Sequence, residues 1–217
     1  MQITRAWSAI TVALVVAATV PAAAADDGAA LTAKIDAALS SAASYRVSVL
    51  GPNGFAIDIL SVGRDRVRVQ SSAGGTTAES VVVGTAMYYH TAGNPWAANA
   101  VPTVRTARKN LLYMGAPDTK VEPLADRTEG GVTYGAFGSL AVGNAQVPAT
   151  MECTYDKSTF RPHTCTIVLQ ALPTPLHVTY DKWNDPSNVV EAPAGVAPPT
   201  PAPLRAPAPA PSPRVPQ

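Results

Sequence analysis

Tyr45-Arg46-Val47-Ser48-Val49-Leu50-Gly51-Pro52-Asn53-Gly54-Phe55-Ala56-Ile57-Asp58-Ile59 is the stretch that decides the fold. Tyr45, Val47 and Val49 alternate with Arg46 and Ser48, and Ile57 and Ile59 flank Asp58. A period of two places the apolar residues on one side of an extended chain, so two strands are predicted. Gly51-Pro52-Asn53-Gly54 lies between them; Gly and Asn tolerate positive φ, which makes this a turn. Val67 and Val69 continue the alternation among Arg66 and Arg68, Gly74-Gly75 makes the next turn, and Thr77 to Val83 and Thr85 to Thr91 read as further strands.

Working outward, Leu31, Ile35, Ala38, Leu39 and Ala42 recur at helical spacing behind Asp26 and Asp27, either of which suits a cap. A helix is predicted over Gly28 to Ala43. A second is predicted over Val101 to Met114, with Val104, Ala107, Leu111 and Met114 on one face. Strands are then expected near Lys120–Asp126, Val132–Val142, Val147–Asp156, His163–Gln170 and Leu176–Lys182. Roughly ten consecutive strands with short turns make an antiparallel sheet, because parallel neighbours need long crossovers. If the last hairpin pairs symmetrically about Thr159, Asp156 faces Pro162 and Cys153 faces Cys165, close enough for a disulfide.

The two ends read differently. Residues 1–25 have Arg5 in a positive start, an apolar run from Ile10 to Val20, and small residues from Ala22 to Ala25: a secretory signal peptide. Ala6 to Ala25 approaches the ~20 apolar residues of a membrane anchor, but Pro21 and the A-x-A pattern mark a cleavage region. No cysteine stands near the junction to take a lipid. Residues 26–192 are expected to form one soluble domain, periplasmic or secreted, and 193–217 a disordered Pro/Ala-rich tail.

Loss of Arg5 from the 16 Lys+Arg, against 15 Asp+Glu, leaves no net charge and no basic run, which argues against nucleic acid. Membrane contact is expected to be transient at most. His90, His163 and His177 have no metal-binding spacing, and there is no nucleophile elbow or phosphate loop. No catalytic residue, metal or cofactor is expected, and the protein reads as a non-enzyme. A large sheet with one apolar face needs cover: a second sheet in a sandwich, or helices, a lid or an apolar ligand in a half-barrel.

The order helix, strand, turn, strand, then Val62-Gly63-Arg64-Asp65-Arg66-Val67-Arg68-Val69 and Glu79 to Tyr89 closing near Trp96, resembles the LolA-like superfamily. So do the Cys153 to Leu169 hairpin with its Thr-Phe-Arg-Pro turn, His177-Val178-Thr179-Tyr180-Asp181, Asn184-Asp185-Pro186 and Val190-Glu191-Ala192-Pro193. That superfamily includes periplasmic lipoprotein carriers and lipid-binding lipoproteins of the LppX and LprG type. The resemblance implies a mostly β (α+β) fold: one curved antiparallel sheet forming a half-open barrel, its concave apolar face under helices and holding acyl chains. It also places Arg64 where the carriers have a lid-tethering arginine at the entry to the third strand, although Gly63 and Asp65 depart from the carriers' neighbours; the plain alternative is one exposed arginine in a row with Arg66 and Arg68.

On this reading Val47, Val49, Ile57, Ile59, Val67, Val69, Met87 and Tyr89 line the ligand face, with Val104, Leu111 and Leu112 closing it from the second helix. The ligand would be a lipid or an acylated lipoprotein, and an envelope protein could dock on the tail. The alternative is an envelope sensing or assembly module with a collapsed cavity. The leader carries the first prediction: intact-mass analysis of exported protein should find a chain beginning at Asp26, and a retained Met1 would make the segment an anchor.

Overall fold

The computed structural model describes residues 28–101, 120–142, 148–169 and 174–199. The leader, the helix expected beyond Val101 and the segment from Thr200 onward lie outside the described residues. Among these residues an α-helix, α1 (Gly28–Ser41), is followed by β1 (Ser44–Leu50), β2 (Ala56–Val62), β3 (Arg66–Ala73), β4 (Thr76–Val83), β5 (Ala86–Thr91) and β6 (Ala97–Ala100). Then come β7 (Lys120–Glu129), β8 (Val132–Val142), β9 (Pro148–Tyr155), β10 (Pro162–Leu169) and β11 (Leu176–Asp181).

All eleven strands join one antiparallel sheet in the order β6-β5-β4-β3-β2-β1-β11-β10-β9-β8-β7. Two meanders, β1 to β6 and β7 to β11, therefore meet at the pairing of β1 with β11, where Val47 stands opposite Tyr180. The sheet is not closed into a barrel, which fits a curved, half-open sheet. Its turns use the expected chemistry: Asn53 and Gly54 both have positive φ (55° and 73°), as do Gly74 and Gly75 in the β3–β4 turn.

Three local expectations differ from the structure. The sequence Ala97-Ala-Asn-Ala100 carries no β-branched or aromatic residue, yet it forms β6 by pairing with β5. In the last hairpin Cys153 does face Cys165, and the two form a disulfide, but Pro162 faces Tyr155 rather than Asp156. A bulge between Pro162 and Cys165 absorbs the extra residue. Finally, Arg64 does not enter the third strand: it is exposed in the turn, two residues before β3 begins.

Two apolar clusters hold the sheet. On one face α1 packs Leu31, Ile35 and Leu39 onto Tyr45, Val47, Ile59, Val67, Phe137 and the disulfide. On the other face Leu60, Val81 and Tyr88 are covered by Val190, which is 1% exposed, as the chain returns across the sheet after β11. Val196 packs on this second cluster too, and the Arg66 guanidinium donates to the Val190 carbonyl (3.4 Å).

These contacts set three expectations. Val190→Ala should cost about 2 kcal/mol, from two lost methyl groups plus the cavity they leave, seen as a melting temperature about 4–8 °C lower. Replacing Cys153 and Cys165 by Ser should cost about 2–4 kcal/mol, and thiol counting under denaturing, non-reducing conditions should find none in exported protein. Third, the hydroxyl of Ser158 above all, then the backbone and side chain of Thr159 and the Ser158 N–H, hold the Asp156 carboxyl below its usual range. A depressed folded pKa stabilises above the unfolded carboxylate value of about 3.9 and loses that contribution as pH falls through the lower folded value. The stability gap between the wild type and Asp156→Ala should therefore narrow on acidification from about pH 5 to pH 2, as urea melts at each pH would show.

Candidate functional site: the apolar face beneath the helix

Register places the sequence-predicted residues together. Val47 faces Ile59, Ile59 faces Val69, and Val69 faces Ser80, which faces Tyr89. Val49 faces Ile57 one step along, and Val67 connects through Val82 to Met87. Because side chains alternate along each strand, all eight lie on the face that bears α1. Val104, Leu111 and Leu112 lie outside the described residues.

Burial falls away along the central row. Val47 is 1% exposed and Ile59 5%, Val69 is half-buried, and Tyr89 is 38% exposed. Val49, Ile57 and Met87 are likewise half-buried rather than sealed. The apolar strip thus runs on past the part of the sheet that α1 covers. The strip is also chemically plain: the α1-facing positions of β1 to β5 carry no acid, histidine, lysine, arginine or cysteine. Their polar groups are hydroxyls, and among them Ser61 is 2% exposed with no hydrogen-bond partner for its Oγ among the described residues.

The helix is seated from several sides. A side chain at Gly28 would collide with the carbonyl oxygen of Val121, 1.8 Å from a Cβ, so α1 can begin against β7 only as glycine. Lys34 sits over the Phe160 ring at 4.9 Å, Phe160 stacks on Tyr155, and Tyr155 lies over Gly135 and tilts against Phe137. At the other end the Gly63 N–H donates to the Ala43 carbonyl (2.7 Å), tying the turn that carries Arg64 to the exit of α1. Trp183 stacks on Tyr45 (5.0 Å) and lies beneath the Arg161 guanidinium. Burial pushes the Tyr180 phenol far above its usual range, so that ring acts as a neutral core residue.

Reading the strands by parity alone missed the opposite face. The signal was present, since Leu60 and Val62 in β2 and Val81 and Val83 in β4 break the alternation and make both sides of those strands apolar. Among the described residues there is no group of three or more His, Cys, Asp or Glu side chains able to hold a metal ion. Nor is any described helix long and apolar enough to cross a membrane.

Among the described residues the site and sheet define a class: an open antiparallel sheet with a helix laid across an apolar face. No family model and no curated protein matches the chain. Among solved structures it is similar to Mycobacterium tuberculosis lipoprotein LppX, with 16% identity, 74% of this chain and 98% of that chain covered, and a TM-score of 0.45. It is also similar to a LolA superfamily protein from Nitrosomonas europaea (10% identity, 78% and 96% covered, TM-score 0.34). A third similar structure is MucB, solved in complex with MucA (14% identity, 78% and 58% covered, TM-score 0.42). Function therefore has to be read from the chain's own residues.

The Tyr155–Gly135 contact gives a direct check on how α1 is held. A Cβ at position 135 would lie 2.3 Å from the Tyr155 ring, so Gly135→Ala must displace that ring from beneath Phe160. Overpacking of this kind costs about 1–3 kcal/mol. The expected result is a lower denaturation midpoint together with faster amide exchange around Lys34.

Proposed function

We propose that this chain is an exported, non-catalytic binding protein of the cell envelope that holds the acyl chains of a lipid or acylated lipoprotein on the α1-bearing face. The observation that carries the reading is the apolar strip that continues from Ile59 through Val69 to Met87 and Tyr89 while its burial falls. Burial at ~25 cal/mol per Å² makes a few hundred Å² of acyl chain worth several kcal/mol before the costs of association. A face whose strands offer hydroxyls and hydrocarbon but no acid–base group suits retention by burial rather than by reaction. The disulfide suits an oxidising compartment, in agreement with the expected leader.

In this proposal Val47, Ile59 and Val67 form the floor, and Val49, Ile57, Val69, Met87 and Tyr89 touch the ligand, with Val104, Leu111 and Leu112 as further wall. Arg64 is the proposed latch: its turn is bonded to the exit of α1, so a charge-assisted contact made there would hold the helix on the sheet.

Titration of the whole chain with a fluorescent fatty acid tests this. Met87→Asp puts a charge on the half-buried strip and should weaken binding at least ~10-fold, since an unpaired charge is costly beside hydrocarbon. Val168→Asp is the control: that side chain is 46% exposed and lies on the opposite face, so binding should not change. Arg64→Leu should speed release of the probe more than Arg66→Leu or Arg68→Leu. If the wild type does not bind the probe, the acyl-chain reading fails and the interaction module takes its place.

A further inference from the structure

Antiparallel pairing sorts the connections between strands onto two ends of the sheet, and the two ends differ in charge. At the end where β1 starts, Arg64 and Asp65 join β2 to β3, Asp156, Lys157 and Arg161 lie between β9 and β10, and Lys182 follows β11. At the other end the connections 51–55, 74–75 and 92–96 hold no Asp, Glu, Lys, Arg or His, although 14% of the whole chain is charged. In sequence, residues 143–147 and 170–175, which join β8 to β9 and β10 to β11, add none. Among the described strand ends there, only Lys120 is charged, and it stands on the edge strand β7, five strands from β1.

The uncharged end also presents hydrocarbon. Leu50, the last residue of β1, is 59% exposed. A Cβ at Gly51 would lie 2.7 Å from Leu176 Cδ2 and 2.8 Å from Phe55 Cδ1, so these two side chains close over the β1–β2 turn. Phe55 and Leu176 stand one alternation outward of Ile57 and Val178, which lie on the α1-bearing face. Hydrocarbon therefore runs from beneath α1 out to this end, whereas at the charged end the exit of α1 is tied to Gly63. An apolar end without ionised groups enters a lipid interface at no cost of drying a charge. Continuity with the strip, exposure and missing charge favour one partner. We propose that this end docks transiently on a phospholipid bilayer, Leu50, Phe55 and Leu176 entering the headgroup layer so that an acyl chain passes between membrane and strip without crossing water. This rests on the acyl-chain reading above. With no basic cluster at this end, the attraction comes from apolar burial rather than from anionic headgroups.

Flotation of the full exported chain with phosphatidylcholine vesicles tests this. The wild type should rise with the vesicles, and equally so in sodium chloride at about 0.5 M, because salt screens only charges. Leu50→Asp should lower the partition coefficient at least ~10-fold, the scale of one leucine side chain taken out of water, and Leu50→Trp should raise it. Val132→Asp is the control: that side chain is 51% exposed at the charged end, so flotation should not change. Leu50→Asp should keep the wild-type affinity for the fluorescent fatty acid in solution; if it does not, Leu50→Trp carries the test. Loss of fatty-acid binding by the wild type with flotation intact would sink the acyl-chain reading alone. A wild type that stays at the bottom of the gradient, flotation that requires phosphatidylglycerol or vanishes in salt, or equal flotation of Leu50→Asp would each overturn the docking proposal. A wild-type dimer that does not float and that Leu50→Asp makes monomeric would overturn it too, and make this end an interface between copies.

Discussion

The pairing of β1 with β11 is the contact on which the rest of this structure depends. It joins two meanders that otherwise share no strand neighbours, and it does so between residues 135 apart in the chain, Arg46 and Asp181. Those two are directly opposed, Arg46 Nε and Nη2 donating to the two carboxylate oxygens, and the Asp181 carboxylate holds Arg46 firmly in its charged form. Around them the buried Asn188 amide donates to Ser44 Oγ (2.8 Å) and to the Lys182 carbonyl (2.7 Å), while the Asn184 side chain accepts from the Ala43 N–H (2.8 Å). Without this seam each meander would present an unpaired edge and half of an apolar face. The α1-bearing apolar face continues across it, where Val47 and Val49 meet Tyr180 and Val178.

From that seam follows a division of labour between the two faces. Each side of a sheet must be covered or wetted. Here α1 covers the middle of one side, and the segment after β11 crosses the other, sealing Leu60, Val81 and Tyr88 beneath Val190. The α1 side is left with half-buried hydrocarbon toward β5, and the opposite side with polar clefts beside the crossing segment.

Much of this was legible in the residues themselves. Period-two alternation in Tyr45–Val49 and Ile57–Ile59 fixes which side chains share a face, and a hairpin turn such as Asn53-Gly54 fixes the register between them. What was not legible is what no local pattern encodes. The Ala97–Ala100 segment is a strand because β5 offers it an edge, not because of its own propensity. The second core depends on Val190, whose neighbours in sequence give no period to read. Arg64 was placed at a strand entry, but Gly63, with φ of 57°, opens a turn that holds it outside β3. The meeting of first and last strands is likewise a property of the assembled sheet, since closing so long a loop is rewarded only by contacts made all along it.

The account's central claim is that the α1-bearing face retains hydrocarbon. Native mass spectrometry of the exported chain, purified from its own host without detergent, measures this most directly. The account predicts a protein carrying one added mass of lipid size that extraction with organic solvent releases as an acylated molecule. A single species at the mass of the bare chain, unchanged when acyl lipid is added back, would contradict it.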